Sequence, residues 1–423
     1  MWRMNAEPAN FTATMEAMGQ KARAAAAALA RLPAATRDSA LREAAAALRE
    51  AAPAILTANA RDMANFKGTP AFGDRLLLNE ARLEAMARGL EDVANLPDPL
   101  ARTLAEWARP NGLRISRIAQ PIGVLGMIYE SRPNVGADAA GIAIKSGNAI
   151  ILRGGSESFH SAQAIQQAMA AGLSKAGLPE HAVQVPATTD RRFVAAMLGA
   201  VGQIDLIIPR GGKGLVERVR HEARVPVLAH AEGLNHTYIH AAANHEMARS
   251  VLANAKMRRP GVCGATETLL IDSAITPALL PVLVQDLAAL GCEFRADDRA
   301  RAICPALTAA TPADFHTEWQ NAVLNIAVVD GPEAALAHVL AHGSEHTEAI
   351  ITQDEQVAEA YLTACPAAVT LWNASTQFCD GGEFGFGAEI GIATGHIHAR
   401  GPIGPEQLTT FRYVVRGTGQ TRP

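Results

Sequence analysis

The pattern of apolar and polar positions changes near residue 113. Before that point Ala, Leu, Arg and Glu dominate, with breaks at Pro33, Pro53, Gly68-Thr69-Pro70 and Pro97-Asp98-Pro99, which predicts a set of helices. The stretch "LRISRIAQPIGVLGMIYE", Leu113 to Glu130, then alternates before becoming continuously apolar, the pattern of an exposed strand followed by a buried one. From there strands and helices take turns. "NAIILR", "IDLIIP" and "VPVL" read as strands, separated by the helical "ESFHSAQAIQQAMAAGLSKAG" and "GGKGLVERVRHEA". Further on, the helix "HEMARSVLANAKM" precedes the strands "ETLLID", "NAVLNIAVVD", "EAIIT" and "AAVTLW", with helices between them. Short apolar strands alternating with helices predict parallel sheets covered on both faces. Two α/β lobes in series follow, with a boundary between Pro226 and Gly233. The segment "LTTFRYVVRG" is β-rich; it pairs with another subunit or forms a plain edge strand.

Composition narrows the class. The chain has 423 residues, 49% of them hydrophobic and 19% charged, enough for two or three ordinary domains. A net charge of -4 without a basic block gives nucleic acid no electrostatic footprint. No apolar run reaches the eighteen or so residues of a membrane span. The Ala-rich "KARAAAAALARL" carries Arg23 and Arg31 at helical spacing, so it reads as a surface helix rather than a signal peptide. Five widely spread cysteines without a C-x-x-C favour free thiols in a reducing cytoplasm over a disulfide frame or a zinc site. The clustered His230, His236, His240 and His245 lack the i, i+4 spacing of a helical metal site, and no metal is expected.

Three stretches carry candidate chemistry. "ILRGGSES" and "IIPRGGKGL" are glycine turns after strands, each with an arginine, Arg153 or Arg210, at the strand end. They suit a nucleotide, although neither matches G-x-G-x-x-G or a Walker loop. In "RRPGVCGATETLL", Cys263 is either a buried structural thiol or a nucleophile. Lys256, Arg258 and Arg259 supply positive charge that lowers a thiol pKa, or are solvated cations at a helix C-terminus.

The long segments "VLGMIYESRPNVGADAAGIAIKSGNAIILRGGSES", "DLIIPRGGKGLVERV", "NAKMRRPGVCGATETLL" and "GGEFGFGAEIGIATGHIHARGPIGPEQLTTFRYVVRG" resemble the gamma-glutamyl phosphate reductase family of the aldehyde dehydrogenase superfamily. The resemblance runs in order from about residue 15 onward. It implies an α/β fold with three parts. Residues 1–228 would hold the N-terminal helices and a Rossmann-like NADP-binding domain, with the hairpin 113–122 given to an oligomerisation flap. Residues 229–390 would form the catalytic domain, and 391–423 a return ending in the flap strand. It further implies NADPH-dependent reduction of L-glutamate 5-phosphate to L-glutamate 5-semialdehyde and phosphate in proline biosynthesis. The enzyme would be a homo-oligomer functionally paired with glutamate 5-kinase. Cys263 takes the nucleophile's place. Arg153, Gly154, Gly155 and Ser156 fall on the first cofactor turn, and Arg210, Gly211, Gly212 and Lys213 on the second. Glu318 falls where the superfamily holds the nicotinamide ribose.

Several positions depart from the family. Gly264 replaces an asparagine, and in "HAEGLNHTYIH" Glu232, Asn235 and His240 replace aspartate, cysteine and aspartate. Hydrolytic relatives carry a glutamate before Gly-Gly that activates water, and His230 stands about there. The alternative reading is therefore a hydrolytic NAD(P)-dependent semialdehyde dehydrogenase; a catalytically weak binding member of the fold is a third. The oxyanion would be met by the Cys263 amide together with Ser131 or Asn134. Arg132 binds the substrate's carboxylate or phosphate, or pairs with Glu130, and His230 is a further substrate candidate.

Overall fold

The computed structural model describes residues 10–422 except Ala101, Ser131, His230, Ala231, Ile397 and His398. The chain divides into two compact units. The first comprises Met1–Ala229, Phe386–Gly391 and Ile403–Pro423, and the second His230–Gly385 and Ile392–Pro402.

The first unit opens with five helices: α1 (Phe11–Leu29), α2 (Ala34–Glu50), α3 (Ala52–Asn65), α4 (Pro70–Leu76) and α5 (Glu80–Asn95). Prolines stand at the starts of α2, α3 and α4, where a missing N–H costs nothing. A hairpin of β1 (Thr103–Ala108) and β2 (Arg114–Pro121) follows. Then come β3 (Val124–Tyr129), α6 (Pro133–Lys145), β4 (Ala149–Arg153), α7 (Phe159–Lys175), β5 (Val183–Gln184), α8 (Arg192–Leu198), β6 (Leu206–Arg210) and α9 (Lys213–Glu222). The parallel sheet runs β5-β4-β3-β6, so the chain starts at β3, winds outward, then returns to its other side. That reversal makes a switch point beyond the carboxyl ends of β3 and β6, where open α/β sheets bind ligands.

The N-terminal helices are tied to this sheet by buried polar groups. Lys145, 1% exposed, donates to Asp38 at 2.7 Å and to the Ala94 carbonyl at 3.0 Å. Asp62 accepts from the backbone and hydroxyl of Ser161 at 2.7 and 2.6 Å. Helices α2 and α7 cross so closely at Gly172 that a Cβ there would lie 2.5 Å from the Ala44 Cα. The stretch "VPVL" is less than the expected strand: it makes one bridge, Val227 to Ile207, because Pro226 has no N–H to extend a ladder.

The hairpin forms an antiparallel three-stranded sheet, β1-β2-β16, with β16 (Thr409–Arg416). Phe411, Tyr413 and Val415 alternate along β16 and are exposed. Trp107 meets Tyr413 edge to face at 6.1 Å, and Arg117 lies over Phe411 at 4.9 Å.

The second unit contains β7 (Asn235–Ile239), α10 (His245–Met257), β8 (Thr266–Asp272), α11 (Thr276–Ala289), β9 (Glu293–Ala296), α12 (Asp298–Ile303), β10 (Thr308–Ala309) and β11 (Val323–Val329). It continues with α13 (Gly331–His342), β12 (Thr347–Ile351), α14 (Glu355–Ala364), β13 (Val369–Trp372), β14 (Ile392–Ala393) and β15 (Gly401–Pro402). Seven parallel strands run β10-β9-β11-β8-β7-β12-β13. Alternate residues serve two cores: Leu269 and Ile271 pack with Leu252, Leu280 and Leu283, while Leu270 packs with Tyr238, Val339 and Tyr361. Burial on both faces explains why these strands read as continuous apolar runs.

Candidate active site

Cys263 occupies the turn that carries the chain from α10 into β8, a turn closed by Val262 N to Arg259 O at 3.4 Å and Ala265 N to Val262 O at 3.0 Å. The residue is half-buried and packs against the Val369, Cys379 and Ile392 cluster. Its carbonyl accepts the Asn235 side-chain amide at 2.6 Å; the same Nδ2 donates to the Ala265 carbonyl at 2.9 Å, and Oδ1 accepts from Thr347 N at 3.2 Å. Gly233 lies flat on the turn, since a Cβ there would be 2.0 Å from the Cys263 oxygen. Gly264 faces the Thr376 carbonyl, 3.3 Å from where a Cβ would stand, so a larger residue would press on that backbone.

Glu318 is joined to the Cys263 turn through Gly233. Its Oε1 accepts the Gly233 amide at 3.1 Å and Oε2 accepts from Gln320 Nε2 at 3.1 Å. Burial raises its carboxyl above the ordinary value, and the Gly233 bond works against that. Lys256 is not a solvated cation: it is fully buried and donates to Glu267 at 2.6 Å. Burial pushes Glu267 up to about 7 despite Lys256, and its other oxygen accepts the Gln320 amide at 3.3 Å. Arg258 and Arg259 are exposed, with Arg258 reaching Gln377 at 3.4 Å. Burial raises the thiols of Cys292 to about 11 and Cys365 to about 12, and raises Cys304 as well, keeping all three protonated at neutral pH.

In the first unit the two glycine turns end strands that flank β3. Arg153 is 6% exposed and donates to the Thr189 carbonyl at 2.8 Å, while its buried Nε has no partner. Burial pulls this guanidinium below its ordinary value, opposed by Glu157 and Tyr129. Gly154 makes room for the Tyr129 side chain, 3.0 Å from a Cβ at that position. Gly155 precedes a single 3-10 turn, Ser156–Ser158, in which Ser156 is exposed. At the second turn the Glu130 carboxylate accepts the Gly212 amide at 2.9 Å, so a protein anion already caps α9 at the switch point. A Cβ at Gly211 would lie 2.6 Å from the same carboxylate oxygen, so a side chain there would push the Glu130 carboxylate aside. Lys213 is the first residue of α9, and Arg210 ends β6 beside Gly391. An unpartnered buried guanidinium nitrogen, with Arg210 at the end of β6 and Lys213 just beyond it, fits a phosphorylated dinucleotide. The occupied Gly212 amide does not add to that fit.

Arg132 is exposed at the N-cap of α6, and its amide donates to the Glu130 carbonyl at 2.7 Å. Asn134 donates one side-chain amide hydrogen to Asp138 one turn on, at 3.0 Å. Ser131 and His230 lie outside the described residues. Burial raises Asp138 to about 6, so its folded form binds a proton more tightly than the unfolded chain does. That stabilisation is complete below the unfolded value of about 4 and is lost as pH rises through 6. Asp138→Asn is accordingly expected to gain about 1–3 kcal/mol at pH 7.5 and almost nothing at pH 4. Thermal unfolding at the two pH values checks this.

The histidines make a structural chain. His236, bonded to the buried Glu348 at 3.0 Å, is followed by His338, His342 and His316, with ring centroids 5.3, 4.4 and 4.7 Å apart. Among the described residues no group of three or more His, Cys, Asp or Glu is arranged to hold a metal ion, and no helix is long and apolar enough to cross a membrane.

Sequence reasoning did not single out Gly233 or Glu267, named Glu130 only as a pairing partner for Arg132, and read Asn235 only as a departure. The bare alternation of the "HAEGLNHTYIH" stretch gives no sign that its asparagine reaches back across the sheet.

The sequence profile of the aldehyde dehydrogenase family matches residues 6–329, and the chain belongs to that family. A gamma-glutamyl phosphate reductase of Acidiphilium cryptum is 71% identical over 95% of this chain and 96% of its own length. One from Gluconobacter oxydans is 65% identical over 96% of each. The crystal structure of gamma-glutamyl phosphate reductase from Thermotoga maritima superposes with a TM-score of 0.95 at 38% identity, covering 97% of this chain and all of that one. Within the aldehyde dehydrogenases, then, this chain is one of the gamma-glutamyl phosphate reductases. An acetylating aldehyde dehydrogenase from Geobacillus thermoglucosidasius, with a TM-score of 0.66 at 20% identity, shares the fold.

Proposed function

We propose that this protein reduces L-glutamate 5-phosphate to L-glutamate 5-semialdehyde and phosphate, with NADPH as reductant and Cys263 as nucleophile, a cytoplasmic step of proline biosynthesis. The observation that carries this is the Cys263 turn, held by Gly233 and Asn235 beside Glu318. The Cys263 thiolate bonds to the C5 acyl carbon while the bond to the phosphate oxygen breaks; phosphate leaves with that electron pair and takes up a proton from solvent. The Cys263 amide donates to the oxyanion formed during attack. When bound, the reduced nicotinamide supplies the hydride that the thioester carbon accepts. Collapse of the resulting oxyanion re-forms the carbonyl, returns the C–S electron pair to sulfur and releases the aldehyde.

In this reading, residues 1–228 form the cofactor domain, with Arg153, Gly154, Gly155 and Ser156 on the adenosine side and Arg210, Gly211, Gly212 and Lys213 on the second turn. Glu318 holds the nicotinamide ribose. Residues 229–390 carry the chemistry, and Arg132 holds a substrate anion. The apolar row Phe411, Tyr413 and Val415 supports a homo-oligomer formed through the β1-β2-β16 sheet. Glutamate 5-kinase, which would supply the acyl phosphate, is the functional partner. The direct test is formation of NADPH from the semialdehyde, NADP and phosphate; a protein that makes none under these conditions overturns the assignment.

Preference for NADPH over NADH rests on Arg210 and Lys213 more than on Arg153, part of whose guanidinium is committed to Thr189. A charge-assisted contact to the 2′-phosphate is worth roughly 1.5–3 kcal/mol, or one to two decades. Arg210→Ala is expected to lower kcat/KM for NADPH about tenfold or more while leaving NADH nearly unchanged. Equal losses with both cofactors would assign Arg210 to structure.

A further inference from the structure

The register between β7 and β8 slips between Asn235 and His236: Asn235 faces Thr266, whereas His236 faces Thr268, so Glu267 is an extra residue in β8. A bulge of this kind interrupts the ladder and leaves backbone groups to be satisfied some other way. The gap falls where β8 begins and the Cys263 turn ends. Asn235, with no exposed surface, fills it: one planar amide holds the carbonyls of Cys263 and Ala265 through Nδ2 and takes the Thr347 amide on Oδ1. Its orientation is fixed by these partners, because only the amide nitrogen can serve two carbonyls and only the oxygen can accept from Thr347. The strand on its far side, β12, therefore fixes the side chain that fixes the turn.

We infer that Asn235 is the positioning residue for the nucleophile: its side-chain amide stands in for the broken β7–β8 ladder and sets the place of the Cys263 backbone, and with it the aim of the thiolate. Gripping a carbonyl on the nucleophile itself and another two residues on restrains the peptide plane before Gly264 and the one after Ala265, so the short segment between them is held at both ends. A Gly264 without a side chain offers no restraint of its own, so the asparagine supplies from β7 what the turn lacks. The inference rests on Cys263 being the nucleophile.

Asn235→Ala and Asn235→Ser test it in the full-length protein, serine keeping one donor. A displacement of the nucleophile by about an ångström costs roughly a hundredfold. For Asn235→Ala, kcat is expected to fall about 10–100-fold while KM for semialdehyde and phosphate stays within about threefold, with Asn235→Ser intermediate. The second readout is alkylation by iodoacetamide without substrate or cofactor, scored separately on Cys263 and Cys304 by peptide mass. A positioning role changes the Cys263 rate alone, whereas general loosening of the unit changes both. Unchanged kcat in folded Asn235→Ala, or parallel changes at the two thiols, overturns the inference. If the alanine variant does not fold, the serine variant is judged by the same two readouts, and wild-type values in both overturn it. Failure of the underlying reading looks different: Cys263→Ala would stay active whatever Asn235 does.

Discussion

Cys263→Ala is expected to abolish turnover, with kcat reduced by about four orders of magnitude or more, while thermal stability changes by only about 1 kcal/mol. On the proposed mechanism the loss is large because the sulfur carries the acyl group as a thioester. Cys292, Cys304 and Cys365 are held as thiols by burial, and none of them borders the Gly233–Glu318 segment among the hydrogen bonds described. The stability effect is small because the side chain is half-buried and loses a single atom. Alanine at 292, 304 or 365 is expected to spare the chemistry. Cys379 differs, for it is 4% exposed and belongs to the cluster against which Cys263 packs. Measured kcat alongside an unfolding curve separates the cases. A Cys263→Ala protein with near wild-type turnover would end the covalent mechanism.

The second large effect is a strict need for phosphate in the oxidative direction. On the proposed mechanism, once hydride has left, the acyl group stays on Cys263 until a nucleophile takes the carbonyl carbon and the C–S electron pair returns to sulfur. By microscopic reversibility the acceptor is the group expelled in the forward direction. Phosphate attacks without help at neutral pH, whereas water needs a positioned base. Two carboxyls beside the turn are already engaged by the protein. Glu318 is bonded to Gly233 and Gln320, and Glu267 to Lys256 and Gln320. NADPH formation without phosphate is therefore expected to stop after about one turnover per active site, and arsenate is expected to restore it. Steady formation in phosphate-free buffer would make water the acceptor and the protein a hydrolytic dehydrogenase, with His230 the first base to remove.

Much of the fold was legible because parallel strands buried on both faces write themselves as apolar runs, as in "ETLLID" and "NAVLNIAVVD". The glycine turns and Cys263 were legible as motifs. What escaped was long-range polar pairing. Lys256 follows a helical pattern that suits a solvated cation, and only the fold shows Glu267 waiting across the turn. Asn134 read as a donor for chemistry, with no sign in the sequence that one of its two amide hydrogens meets a carboxylate one helical turn away. Arg153 is partly spent on a carbonyl 36 positions along the chain, and the Gly212 amide on a side chain 82 positions back. Local spacing cannot reveal such partners, because each is set by which strands the topology places side by side.

The sheet β1-β2-β16 has a consequence for how the protein is made. The inner edge of β2 stays bare on the ribosome until β16 emerges, and the buried Asn148 amide waits for the Leu408 carbonyl, 260 positions later. At ordinary elongation rates that delay is on the order of tens of seconds. Throughout it, nascent chains on one messenger expose the same unpaired strand to each other, an arrangement that favours mispairing between neighbours. A chain that ends before Thr409 leaves that edge of β2 without its partner strand, so the sheet closes only at the last stage of synthesis.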